Sequence, residues 1–289
     1  MDWLISAIGG AVVVIILRDV FHTLWHPTRH GGLSRLVMTT LWRLSSRGRR
    51  KRRAAGVAGP LGMALVVAMW ALGVAVGWAV MYWPHMPEAF VFSSALEPTE
   101  HSQPVDALYV SLVIVGTLGL GDIAPAAEWL RVVAPLEALV GLALLTATVS
   151  WVLGVFPALA RRRTLALRIC HLRRAGVADE QLDCDTGATV LDALAADIAR
   201  VSVDFAQYPE SYYFYDGTGD TSLARSIGYA AELAERMGRA KHPGARIASS
   251  VLGAALDDLA SVLDERFLRT GKTRPEILGV YARDHGGGM

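Results

Sequence analysis

The stretch that decides the fold reads Ala107-Leu108-Tyr109-Val110-Ser111-Leu112-Val113-Ile114-Val115-Gly116, followed at once by Thr117-Leu118-Gly119-Leu120-Gly121-Asp122. The first ten residues are apolar and helix-like, but a bilayer core of about 30 Å needs roughly 20 such residues to be crossed. The next six place glycine at alternate positions, where a backbone can visit conformations that are costly for residues with a side chain. A Gly-Asp pair also serves as an ordinary turn between two hydrophobic helices. What surrounds the stretch decides between the two readings.

Three runs are long enough to span. The first extends from Trp3 to about Trp25, with the core Leu4–Leu17 and then Arg18 and Asp19, a pair that can neutralise each other near the interface. No basic leading region and no small-residue cleavage site accompany it, so it reads as a permanent span. The second, Leu61–Trp83, is free of charge and ends in Trp78, Tyr82 and Trp83, an interfacial aromatic girdle. The third, Trp129 to about Pro157, carries only Arg131 and Glu137 near its start and is followed by Arg161, Arg162 and Arg163. The linker between the first two spans holds Arg29, Arg35, Arg43, Arg47 and the run Arg49–Arg53, and no acidic residue occurs from His22 to Pro87. The positive-inside rule puts this linker and the arginine triplet on the cytoplasmic side, and the amino terminus outside. The apolar stretch Val105–Ile123 must then begin and end outside. It is expected to enter and leave the membrane on one face, which lipid tolerates only where protein or a water path surrounds the backbone.

A hydrophobic share of 53% with only 19% charged residues, and a mean hydropathy of +0.35, exclude an ordinary soluble enzyme. The net charge of +1 offers no general attraction for nucleic acid. Cys170 and Cys184 cannot build a disulfide framework and read as reduced cytosolic thiols. No linear Ser/His/Asp, thiolate or phosphate-loop pattern points to catalysis, and no cofactor is expected.

Stripping water from a potassium ion costs on the order of tens of kcal/mol, so a selective pore must offer several oxygens at once. Backbone carbonyls aimed at one axis do this, with Gly119 and Gly121 relieving the backbone and Thr117 adding a hydroxyl. TLGLGD at 117–122 resembles the TVGYGD selectivity filter of the potassium channel superfamily. The resemblance covers about Leu61–Ala160. It implies a two-helix pore module with a pore helix between, K+ held at Thr117, Leu118, Gly119 and Leu120, Gly121 and Asp122 at the outer mouth, and four chains around one axis. Leu120 stands where an aromatic residue is usual, Gly116 where a second threonine is frequent, and Val113 where some bacterial members have a glutamate. Tyr109 and Val110 occupy the position of a bracing aromatic pair. Glu137, costly in lipid, is expected to face the pore helix and hydrogen-bond behind the filter in place of the missing glutamate.

In the third span Gly141 lies where a hinge glycine is common in that superfamily, although close helix packing explains it equally. Thr146, Thr148 and Ser150 could line a cavity, while Val152, Val155 and Phe156 form an apolar section able to narrow and dewet a gate. Pro157 is expected to splay the chain outward. In the linker, Gly31–Lys51 carries an apolar stripe among arginines that suits the inner membrane surface and anionic headgroups, or serves only as a topology signal. His22, His26 and His30 have a spacing compatible with metal or proton binding, but Pro27 interrupts the pattern and they read as plain interfacial histidines.

Residues 161–289 show helical periodicity over Arg162–Ala175, Ala188–Tyr208, Ser222–Met237, Ala245–Arg269 and Pro275–Ala282, without strand patterning or a G-x-G-x-x-G. Asp183, Asp185, Asp216 and Asp220 are candidate cation ligands. Tyr208, Tyr212, Tyr213, Phe214 and Tyr215 read as packing between helices. The expected protein is an all-α membrane protein with an N-terminal span (1–25), a basic linker (26–60), a pore domain (61–160) and a helical cytoplasmic domain (161–289). Its function is that of a homotetrameric potassium-permeable channel of the plasma membrane. A weakly selective cation channel or a non-conducting helical scaffold are the alternatives.

Overall fold

A computed structural model describes residues 1–24, 32–46, 51–94, 96–97, 103–216 and 219–285, with backbone alone for 45–46 and 51–56. His26, His30, Arg47, Arg49 and Arg50 of the linker lie outside the described residues. The protein is an all-α membrane protein. Its order is α1 (Asp2–Leu24), α2 (Gly32–Ser46), α3 (Lys51–Tyr82), β1 (Phe90–Phe92), α4 (Pro104–Val115), β2 (Ile123–Pro125), α5 (Glu128–Ala175), α6 (Asp179–Leu182), α7 (Asp185–Gln207), α8 (Leu223–Met237), α9 (Pro243–Leu263) and α10 (Arg274–Asp284). Among the described residues, α1, Val57–His85 and α5 are long and apolar enough to cross a membrane, whereas α4 is a shorter apolar helix.

The chain divides into two compact units, Met1–Val37 with Met63–Val152, and Met38–Gly62 with Leu153–Met289. In the first, α1 lies against α3 through glycines. A Cβ at Gly9 would sit 2.5 Å from the Gly77 carbonyl oxygen, so only hydrogen there permits the approach. Ser6 donates to the Met81 carbonyl at 3.0 Å and lies 2.9 Å from His85 Nε2. Because its one proton goes to a carbonyl, the Ser6 oxygen accepts from that ring nitrogen. The Arg18–Asp19 neutralisation expected from sequence is replaced by another arrangement. The Asp19 carboxylate accepts from the Leu33 and Ser34 amides, at 3.0 and 3.3 Å, and from the Trp70 indole at 2.9 Å. A negative side chain thus meets the orphan amides at the start of α2.

In the second unit, α7 to α10 bury a continuous apolar core that includes Leu191, Ile198, Leu233, Leu252 and Leu259. Asp183 accepts from the Lys241 and His242 amides at the start of α9, and Arg266 donates to the Ala206 carbonyl near the end of α7. The two helices therefore run parallel, and α8 lies between them in the chain as the return segment. The third span does not end near Pro157: α5 runs through it and continues to Ala175. Losing one amide donor is tolerated because the residues beyond are bound on their own account: Arg161 forks onto Asp204 at 2.6 and 2.8 Å, and Arg162 is buried against Asp216.

Candidate functional site

The site grows from the end of α4. Pro104 starts the helix with a fixed φ, and the Asp106 carboxylate accepts from the Gln103 amide at 3.0 Å. At the other end the Thr117 amide donates to the Ile114 carbonyl and the Leu118 amide to the Val113 carbonyl, both at 2.9 Å. This pair of bonds is a Schellman motif, which requires a left-handed residue between. Thr117 supplies it, with φ 53°, while Gly116 stays right-handed at φ −77°. The left-handed positions continue at Gly119 (φ 60°) and Gly121 (φ 77°), every second residue. A Cβ at either glycine would meet nothing within 4 Å, so glycine is required there by conformation and not by space. Backbone that alternates in hand turns successive carbonyls toward the same side.

The exit of the loop is anchored by a small ribbon. β1 and β2 pair antiparallel with Phe90 opposite Pro125 and Phe92 opposite Ile123, and the Ser93 amide donates to the Asp122 carbonyl at 2.8 Å. Three-residue strands carry no readable period, and sequence reasoning missed them. Tyr109 on α4 donates its hydroxyl to Asp122 Oδ2 at 2.5 Å, tying the helix to the far end of the loop.

Glu137 is fully buried. Ser111 of α4 lies 2.5 Å from Oε1, and the Tyr82 hydroxyl of α3 lies 2.5 Å from Oε2. Ser111 also faces the Ala75 carbonyl at 2.8 Å, so a single hydroxyl proton serves two oxygens. One carboxyl group thereby gathers α3, α4 and α5 beside the loop. Val113 is buried on α4, and Gly141 lets α5 pass the end of that helix, where a Cβ would lie 2.1 Å from the Val115 carbonyl oxygen. The helix is unbroken at Gly141.

Leu118 (65%) and Leu120 (61%) stand exposed on the single chain, and a cleft of about 420 Å3 beside them is lined by Val113, Ile114, Thr117, Gly119, Arg131 and Ala134. Along α5 a row of leucines, Leu136, Leu139, Leu142 and Leu145, is exposed as well. Of the three residues expected at a gate, Phe156 is exposed, Val152 is half-buried and Val155 is fully buried within the chain.

The remaining candidates are placed elsewhere. His22 accepts from Arg18 Nε at 3.4 Å. Asp183 caps α9, Asp216 pairs with Arg162 and Arg163, Asp220 pairs with Arg174, and Asp185 lies 3.5 Å from His242. Among the described residues no group of three or more His, Cys, Asp or Glu side chains is arranged to hold a metal ion.

Comparison with known proteins places part of the chain beside ion channels. Residues 65–156 match the family model described as ion channel, a two-helix, potassium channel-like module. The uncharacterized membrane protein YdjJ of Bacillus subtilis (strain 168) is 28% identical over 159 residues, which cover 53% of this chain and 44% of that protein. The chain thus spans less than half the length of this relative. No solved structure matches it.

Proposed function

We propose that four copies of the chain surround one axis and conduct potassium ions passively through the Thr117–Gly121 loop. The observation that carries this reading is the left-handed backbone at 117, 119 and 121, since a run of carbonyls pointing one way is what replaces the hydration shell of a cation. In this reading α4 is the re-entrant pore helix, its carbonyl end and negative dipole directed at the ion. Asp122 stands at the outer mouth, and Glu137 braces the filter from behind through Ser111. The exposed Leu118, Leu120 and the leucine row of α5 are apolar surface that neighbouring copies and lipid would cover. The amino terminus lies outside and residues 161–289 lie in the cytoplasm of a plasma-membrane protein. Chemistry on a substrate forms no part of the reading. On α2 the exposed Leu33, Leu36 and Leu44 lie opposite the buried Met38 and Trp42, a two-sided helix suited to an anionic lipid surface.

The test is a reversal-potential measurement in a planar bilayer with potassium on one side and sodium on the other. The expected result is a shift toward the potassium equilibrium potential that Gly119→Ala abolishes. A filter-dependent current reversing near zero would instead establish a weakly selective cation channel, for which Leu120 in the aromatic position is the structural reason. Complete absence of current from a correctly assembled chain supports the scaffold.

A further inference from the structure

Within the second unit one short segment, Tyr208–Asp216, touches every element that leaves or enters it near the ends of the spanning helices. Tyr208 lays its ring on Gly154 of α5, where a Cβ would lie 2.7 Å from ring carbon Cε1. Phe214 lays its ring on Gly59 of α3, where a Cβ would lie 2.6 Å from Cγ. Both glycines act as sockets, and the missing side chain lets an aromatic ring reach the helix backbone. The same Phe214 packs edge-on against Phe156, at 6.4 Å between centroids.

The segment is fastened as well as seated. Buried Arg162 donates to the Ser211 and Phe214 carbonyls at 2.7 and 2.9 Å and reaches both oxygens of Asp216, at 2.8 and 2.7 Å. Thr39 on α2 is 3.1 Å from the Tyr213 hydroxyl. Asp284, the last residue of α10, accepts from the Tyr212 hydroxyl at 2.5 Å and from the Trp42 indole at 3.1 Å. These nine residues therefore join the helical bundle formed by α7 to α10 to α2, α3 and α5, beside the direct bonds of Trp42 to Asp284 and of Arg161 to Asp204.

We infer that Tyr208–Asp216 is a gating clip: it sets the spacing of α3 and α5 at the level of Phe156, so that α5 moves there only when the α7–α10 bundle moves with it. The inference rests on the channel reading. Tyr208 and Phe214 are positioning residues, because they contact the pore helices and not the ion. Conformational coupling needs an element with a defined seat on both sides, and a ring held in a glycine socket supplies one, because even a single added methyl group unseats it.

Single-channel open probability of the full chain in a planar bilayer tests this. Gly154→Ala adds a methyl group where the Tyr208 ring sits, and Tyr208→Ala removes the ring. Each is expected to change open probability about tenfold while leaving unitary conductance unaltered, as befits coupled contacts distant from the ion path. In the double variant the added methyl group meets no ring, so the effect of Gly154→Ala should shrink to within about twofold. Should Tyr208→Ala not assemble, Tyr208→Leu keeps the buried volume without the reach of the ring and carries the same comparison. Filter-dependent current with unchanged open probability in the single variants, or strictly additive effects in the double, overturns the clip while leaving the channel standing. A wild-type chain without any current that responds to Gly119→Ala overturns the channel reading and the clip together.

Discussion

The loop region and the helical bundle solve opposite problems. Between Tyr109 and Glu137 order is imposed by a few polar bonds around a backbone that leaves Leu118 and Leu120 exposed, so apolar surface is still uncovered on the single chain. From α7 to α10 the apolar core closes on itself, and buried Arg162 beside it is held by Asp216 and two carbonyls. A loop held by a few bonds is adjustable, whereas a core built on burial is not. The contrast shows which part of the chain is finished as a single copy.

The largest expected change breaks the bundle side of this comparison. Asp216→Ala leaves Arg162 buried with its charge uncompensated, which costs about 3–5 kcal/mol. Thermal unfolding followed by circular dichroism should show a large fall in Tm, and an unchanged Tm would mean that the pair is solvated in practice. On the loop side, Glu137→Ala leaves the Tyr82 hydroxyl without its acceptor at about 1–3 kcal/mol, while Ser111 keeps the Ala75 carbonyl. Glu137→Gln should behave close to wild type, since its amide can both accept from Tyr82 and bond to Ser111. The readout is the thermal unfolding temperature of the protein in mild detergent. If alanine and glutamine lower it equally, the carboxyl group does not organise the three helices.

The smallest effect sharpens the comparison by pH. His285 is buried against Tyr212, Trp42 and Tyr281, and desolvation lowers its pKa below the ordinary histidine value. A depressed folded-state pKa means that its stabilising contribution is complete above the unfolded value of about 6.5 and is lost as pH falls through the lower folded value. Bundle Tm should therefore decline from pH 7 toward pH 5, and His285→Gln should flatten that decline. A decline of the same size in the variant would assign it to other groups.

Much of this was legible in the chain, and the residues that were not have a common reason. Apolar runs long enough to cross a bilayer announced α1, α3 and α5, and the shortfall of Val105–Ile123 announced the shorter apolar helix α4. The α7, α8 and α10 helices follow the apolar period to within a few residues. Asp19, by contrast, gives no sign that its partners are Leu33, Ser34 and Trp70, because a capping bond across 14 or more residues leaves no local period. Pro157 reads as a helix end because proline removes a donor, and the side chains that hold the helix beyond it, Asp204 and Asp216, are remote in sequence. The glycines at 59 and 154 look like ordinary helix glycines until the rings that fill them are known.

Thr117 carries a consequence of its own. A helix that ends in a Schellman motif is most stable with glycine in the left-handed position, and a β-branched residue there holds strain on the order of 1 kcal/mol. The most stable residue for this corner would also be one without a hydroxyl. In the proposed channel, stability and ion binding therefore compete for a single site, and screens that reward heat resistance alone would be drawn to the substitution that removes the Thr117 hydroxyl.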